Sequence, residues 1–286
     1  MVYLLILLQQ LLASLTHIIT KGLVNTVDPM ASLFIRASII SVVFGGWLVL
    51  RSNDRIRIEK KDYKTLVILS ILNIPVNQLL FFLSAELTTA PNLALAYALS
   101  PAFVLVIAMF SLGEKASWPK VAGISAAFGG VVVILSERGL SFGSSYFTGN
   151  VLVLIASFSW ALYTVIGKEF TTKYGAIYST SLTMILGFVF YVPIFLFTGK
   201  SLDLGALTFD NWLQLLYLGL FASGAAYVIW YYALTKIDAG RVALFNNLQP
   251  VLTTILSIIV FGHRITEYLV IGGLLIIAGV IVAQRR

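Results

Sequence analysis

The sequence predicts an all-α polytopic membrane protein of ten transmembrane helices, arranged as two inverted five-helix repeats. Composition is the first of three observations behind this. Of 286 residues, 59% are hydrophobic and only 11% charged, with a mean hydropathy of +0.96, whereas a soluble domain carries about 25% charged residues. Second, the apolar residues fall into ten stretches, each near the ~20 residues that a helix needs to cross a bilayer. A helix also satisfies its own backbone hydrogen bonds where lipid offers none. Third, the sequence aligns with itself when shifted by 149 positions.

Taken in order, the spans run at 3–22, 30–50, 64–85, 90–112, 119–136, 149–168, 177–198, 211–233, 240–262 and 266–284. The first has no basic segment before it and is too long for a secretory h-region, so it reads as a retained helix. Breakers separate the spans: Asp28-Pro29, Ala90-Pro91, Trp118-Pro119, Gly149-Asn150 and Ala239-Gly240. A membrane barrel would instead show short segments of alternating polarity, and these are missing.

Ten crossings return the chain to its starting side. Placing that side inside puts Arg51, Arg55, Arg57, Lys60, Lys61, Lys64, Lys115, Lys120, Lys168, Lys173, Lys236, Arg241, Arg285 and Arg286 in the cytoplasm. Lys21, Arg138, Lys200 and Arg264 fall outside. This asymmetry predicts an inner or plasma membrane protein with both termini cytoplasmic. The net charge of +7 is thereby a matter of topology and does not point to nucleic acid. The expected partners are the lipid bilayer and a small-molecule solute, with the chain a monomer or homodimer.

At the 149-residue shift, 94–135 aligns with 243–284 without a gap, pairing Pro101 with Pro250, Gly113 with Gly262, Gly123 with Gly272 and Gly130 with Gly279. Two units follow, 1–138 and 149–286. Five crossings are an odd number, so the second unit enters from the opposite face. Inverted repeats of this kind let secondary transporters expose a midplane site alternately to each side.

Polar residues at depth mark the candidate site. In the first span Gln10, Ser14, His17 and Lys21 share one helical face; in the sixth, Ser157, Trp160, Thr164 and Lys168 do so. The third span carries Asn77 and Gln78, the fourth Tyr97 and Ser100, and the sixth Trp160 and Tyr163. The eighth carries Tyr227, Trp230 and Tyr231, the ninth Asn246 and Gln249. Unpaired amides are costly in hydrocarbon, so the group is expected to line a cavity that hydrogen-bonds a polar solute and stacks on flat rings. His17, Lys21 and Arg36 are the candidates for charge selection or coupling. Arg36 either meets a substrate carboxylate, pairs internally or snorkels to the outer interface. All twelve acidic residues fall in connections or at span ends. Pro101 and Pro250 each remove one helical hydrogen bond at equivalent depths and are the candidate hinges. Ala122, Ala126 and Gly130, with Gly272 and Gly279, are expected to pack helices closely.

The stretches 93–101 (Leu-Ala-Leu-Ala-Tyr-Ala-Leu-Ser-Pro), 112–115 (Leu-Gly-Glu-Lys), 77–82, 159–163 and 248–250, with Phe261-Gly262, resemble the EamA-type family of the drug/metabolite transporter superfamily. The resemblance covers nearly the whole chain. It implies ten helices in two inverted halves, cytoplasmic termini, and export of amino acids or other small metabolites. The chain departs from the family at Ala13-Ser14-Leu15, where relatives often carry Trp-Gly. It departs again at His263, which stands opposite Glu114 of the first copy.

The expected function is therefore a secondary transporter moving a small polar or amphipathic metabolite, amino-acid-like and outward, by alternating access. No cofactor and no metal are expected. The chain has no cysteine and two histidines, which excludes thiolate and multi-histidine metal sites. A membrane-embedded enzyme needs a nucleophile, base or metal cluster that the sequence does not offer; a channel is the other contrasting class.

Overall fold

The computed structural model describes residues 2–50, 57–111, 117–136, 144–200, 202–262 and 264–283. Arg51, Asp54, Arg55, Leu112, Gly113, Glu114, Lys115, Glu137, Arg138, His263, Arg285 and Arg286 lie outside these. The described residues form ten apolar helices and no strand. They are α1 (Val2–Leu23), α2 (Pro29–Leu50), α3 (Lys60–Leu87), α4 (Ala90–Ala98 and Ser100–Ser111), α5 (Trp118–Leu135), α6 (Ser145–Tyr174), α7 (Ala176–Phe197), α8 (Phe209–Leu234), α9 (Ala239–Phe261) and α10 (Glu267–Ala283). Eight meet the length and hydropathy of a membrane span outright, and α5 and α10 supply shorter apolar segments.

The helix ends follow local chemistry more closely than hydropathy. Asp28 caps α2, its carboxylate accepting from the Met30 and Ala31 amides at 2.9 and 3.0 Å, with Pro29 needing no partner at the first helical position. Helix α6 extends well beyond its apolar run of 149–168. It begins after Ser144, whose side chain accepts from the Phe147 amide, and ends at Gly175, where φ is 84° and only glycine sits without strain.

Four helices are interrupted. Residues Leu72–Gln78 of α3, around Pro75, and Tyr217–Ala225 of α8 are wound as π-helix. Helix α4 breaks at Leu99 and α9 passes through a 3₁₀ turn, Phe245–Leu248, so that Pro101 and Pro250 both stand in the first turn of a new helix. At the α4 break the Ala96 carbonyl accepts from Ser157 Oγ of α6 at 2.6 Å. In α3 the Leu72 carbonyl accepts from Ser159 Oγ at 2.9 Å. Side chains of α6 thus tie down both interruptions, the Ala96 carbonyl accepting from the Leu99 amide at 3.2 Å as well.

Helices α5 and α10 cross antiparallel, with glycines in the contact. A Cβ on Gly123 would stand 2.4 Å from the Gly279 carbonyl oxygen, and one on Gly130 would stand 2.5 Å from that of Gly272. Both backbones would have to move. Gly123→Val is expected to cost about 1–3 kcal/mol, the usual penalty of overpacking, seen as a lower thermal midpoint in detergent. Gly129→Ala, with open space around its Cβ, should leave the midpoint in place; equal shifts in the two variants would refute the close contact.

Polar ties fasten both ends of the bundle. At one, Lys173 bonds Glu59 and Asp62 at 2.6 and 2.7 Å, and Lys168 bonds Asp238 at 3.0 Å. At the other, Lys200 pairs with Asp28 and Asn211 donates to Thr26 at 3.0 Å. Partial burial by itself would push the Asp28 pKa up. The Lys200 ammonium and the amides of Ala31 and Met30 outweigh burial and hold the carboxyl below its ordinary value. Asp28→Ala should therefore cost about 1 kcal/mol at pH 7, the usual value of a helix cap. A carboxyl depressed on folding stabilises above its unfolded pKa near 4, and that stability fades as pH falls through the folded value. Thermal midpoints of the wild type and variant should thus converge below pH 4; a constant gap would sink the assignment.

Candidate functional site: a polar cavity at the centre of the bundle

A cavity with about 540 Å3 of unoccupied space, including what is open to solvent, lies among seven helices. Helix α1 lines it with Gln9, Ala13, Thr16 and His17, α2 with Arg36, and α3 with Asn77, Gln78 and Phe81. Tyr97 comes from α4, Trp160 from α6, Ala222, Ala226 and Tyr227 from α8, and Gln249 from α9. The interrupted helices create this space. Asn77 and Gln78 end the π segment of α3, and Ala222 and Ser223 lie in that of α8, where the extra residue per turn displaces the side chains that follow. Small side chains at 222 and 226 leave the room that larger ones would fill.

The polar groups are held in place from behind. Gln249 Nε2 donates to Gln10 Oε1 at 2.7 Å and to Asn246 Oδ1 at 3.2 Å, and Gln10 Nε2 donates to Gln9 Oε1 at 2.7 Å and to Asn246 Oδ1 at 3.2 Å. His17 Nε2 meets Gln249 Oε1 at 3.0 Å. This amide chain joins α1 to α9. Across the cavity, Asn77 Nδ2 donates to Tyr97 Oη at 2.8 Å and to the Ala156 carbonyl at 2.7 Å. Gln78 Nε2 donates to Asn73 Oδ1 at 2.8 Å and to Tyr227 Oη at 3.4 Å. Rings close the walls. Phe81 and Tyr97 stand edge-on at 5.9 Å, and Trp160 and Tyr227 do so at 5.1 Å.

Arg36 stands about 10 Å into α2 at 1.5 Å per residue and is 3% exposed. It does not snorkel. Its Nε donates to Ser223 Oγ at 2.6 Å, and its guanidinium carbon lies 5.4 Å from the Phe82 ring centre.

Of the residues singled out in the sequence, His17, Arg36, Asn77, Gln78, Tyr97, Trp160, Tyr227 and Gln249 meet at the cavity. The others lie elsewhere. Asn246 is one layer behind, in the amide chain. Ser100 meets Ser157 at 3.2 Å, Trp230 Nε1 donates to Thr164 at 3.1 Å, and Tyr163 meets Thr183 at 3.0 Å while stacking on Tyr231 at 5.0 Å. Lys21 donates to the carbonyls of Ala85 and Glu86 at 2.8 and 3.2 Å, capping the end of α3. The sequence reading did not single out Gln9, Thr16 or the small residues of α8. The spacing of Gln9, Ala13 and Thr16 along one helical face was the available signal for α1; for Ala222 and Ala226 the π winding of α8 left none. No group of three or more His, Asp or Glu that would hold a metal ion occurs among the described residues.

The profile of the EamA-like transporter family matches twice, over residues 1–136 and 147–284. The chain belongs to this family. An uncharacterized transporter of Archaeoglobus fulgidus is 32% identical, with 99% of this chain and 97% of that protein aligned. The uncharacterized transporter YyaM of Bacillus subtilis is 28% identical, with 99% and 93% aligned. One solved crystal structure superposes with a TM-score of 0.72 over 99% of this chain and 95% of that one at 19% identity, a likeness of fold. Family and fold together make this EamA-like chain a multi-pass membrane transporter in contact with lipid.

Proposed function

We propose that this EamA-like transporter is a secondary carrier. It moves a small polar or amphipathic metabolite, amino-acid-like in size, outward across the inner or plasma membrane by alternating access. Both termini are cytoplasmic, and units 1–138 and 149–286 are inverted repeats. The observation that carries the reading is the central cavity, walled by amides, rings and one guanidinium from both halves of the chain. Such a set binds a polar solute at the depth where a carrier must hold it.

The α5–α10 crossing supports inversion. Adding 149 to Gly123 and Gly130 gives Gly272 and Gly279, so exchanging the halves converts the Gly123–Gly279 contact into Gly272–Gly130. A two-fold axis in the membrane plane has this property. The same shift carries the π segment of α3 onto 221–227, overlapping that of α8, and Pro101 onto Pro250. Paired interruptions of this kind support rocking about the cavity, with Pro101 and Pro250 as hinges.

A panel of radiolabelled metabolites in proteoliposomes tests the proposal. Saturable flux accelerated by the same solute on the far side is expected of a carrier; flux rising without limit would convert the reading to a channel. Because the chain has no cysteine, single cysteines at Asn25 and Arg57 report sidedness, and labelling of both from one side would overturn the topology.

A further inference from the structure

Among the residues lining the cavity, Arg36 alone carries a permanent charge. No described carboxylate lines that cavity or pairs with Arg36, and the described acids all stand in connections or near helix ends. Intramembrane arginines ordinarily pair with an acid, a backbone carbonyl or water. Here Ser223 takes Nε and Phe82 covers one face. The two Nη groups, the fork that grips a carboxylate bidentately, have no protein partner among the described residues. A second observation lies in the same wall: Gln78 Oε1 is buried without a hydrogen-bond partner, although Gln78 Nε2 is held by Asn73 and Tyr227.

We propose that the transported solute is a small organic monoanion, a carboxylate on a flat apolar body with a hydroxyl or amide donor. It carries no ammonium group. This deepens the carrier reading and rests on it. The carboxylate lies on the Arg36 fork, the donor satisfies Gln78 Oε1, and the body lies among Phe81, Tyr97, Trp160 and Tyr227. An anion neutralises the guanidinium, whereas a zwitterion leaves the site one charge positive and brings an ammonium to a cavity without an acid. Desolvation makes such imbalance costly, so the site selects against amino acids although it has room for them.

The test uses four solutes sharing one ring: 4-hydroxyphenylacetate, its neutral amide, tyrosine and tyramine. Binding to the purified full-length protein is read by tryptophan fluorescence, and transport in proteoliposomes. The acid is expected to bind at least about tenfold tighter than the other three. Arg36→Gln should abolish that preference by bringing the acid's affinity down to that of the amide, and Arg36→Lys should restore part of it. Ser223→Ala, a small change on the brace behind Arg36, should weaken the acid several-fold and keeps the question open to test should Arg36→Gln not fold. Equal binding of acid and amide, tighter binding of tyrosine, or no binding by any of the four overturns the proposal. Saturable transport of tyrosine but not of the acid would overturn it and leave the carrier standing. Arg36-dependent binding of the acid without flux would uphold the site and sink the carrier.

Discussion

Gln249→Leu is expected to remove at least about nine-tenths of solute flux, the equivalent of 1.4 kcal/mol or more, and to lower the thermal midpoint as well. Gln249 faces the cavity and also closes the amide chain between α1 and α9, holding both His17 and Gln10. Leucine leaves His17 Nε2 and Gln10 Oε1 without a partner, each costing about 1–3 kcal/mol where water is excluded. Asn246 Oδ1 keeps its bond from Gln10 and should be little affected. Thr253→Val supplies the contrast one turn along the same helix. Thr253 Oγ1 is already buried without a partner, so removing it should preserve both flux and stability. Uptake and melting curves for the two variants decide the matter: an active, stable Gln249→Leu protein would show that the amide chain neither shapes the site nor joins the halves.

That chain explains why the helices were legible in the sequence while the site was only partly so. Helix count and span order follow from the cost of unpaired backbone in lipid, a constraint strong enough that the ends of nine apolar runs fall within a few residues of the observed helices. Helix α6 exceeds its run because Ser144 and Gly175 set its ends by capping, to which hydropathy is blind. The Gln10, Ser14, His17, Lys21 stripe was visible by its period. What it faces was not: Gln10 turns into the α1–α9 contact, Lys21 onto the end of α3, and the neighbouring face with Gln9, Ala13 and Thr16 lines the cavity. Both faces are polar, so periodicity alone cannot rank them. In α8, Tyr227, Trp230 and Tyr231 all follow the π segment on one regular stretch of α-helix, so periodicity relates them to one another but does not show how far along the helix the cavity extends. Tyr227 reaches the cavity while Trp230 and Tyr231 turn toward α6. Arg36 was ambiguous for a different reason. Its distance from the helix end permits snorkelling, and only the tertiary contact with Ser223 fixes it inward.

Filling the cavity from either half should block it. Ala226 on α8 and Ala13 on α1 both line the space, and a phenyl ring added at either position occupies volume that a solute must enter. Ala226→Phe is expected to reduce flux about a hundredfold, the equivalent of some 2.7 kcal/mol of lost solute binding. The melting midpoint should move little, because the ring enters unfilled space and does not overpack a core. Ile255→Phe on α9, where the side chain is 52% exposed on the outside of the bundle, should transport like the wild type. The double variant Ala13→Phe with Ala226→Phe discriminates further. Each single plug has already closed the same route, so the double should be no less active than the worse single, while its stability falls because two rings compete for one space. Two plugs that multiply in flux would point to separate routes. Full activity in Ala226→Phe would remove the cavity from the path altogether, and with it the reason for amides, rings and an arginine to meet at that depth.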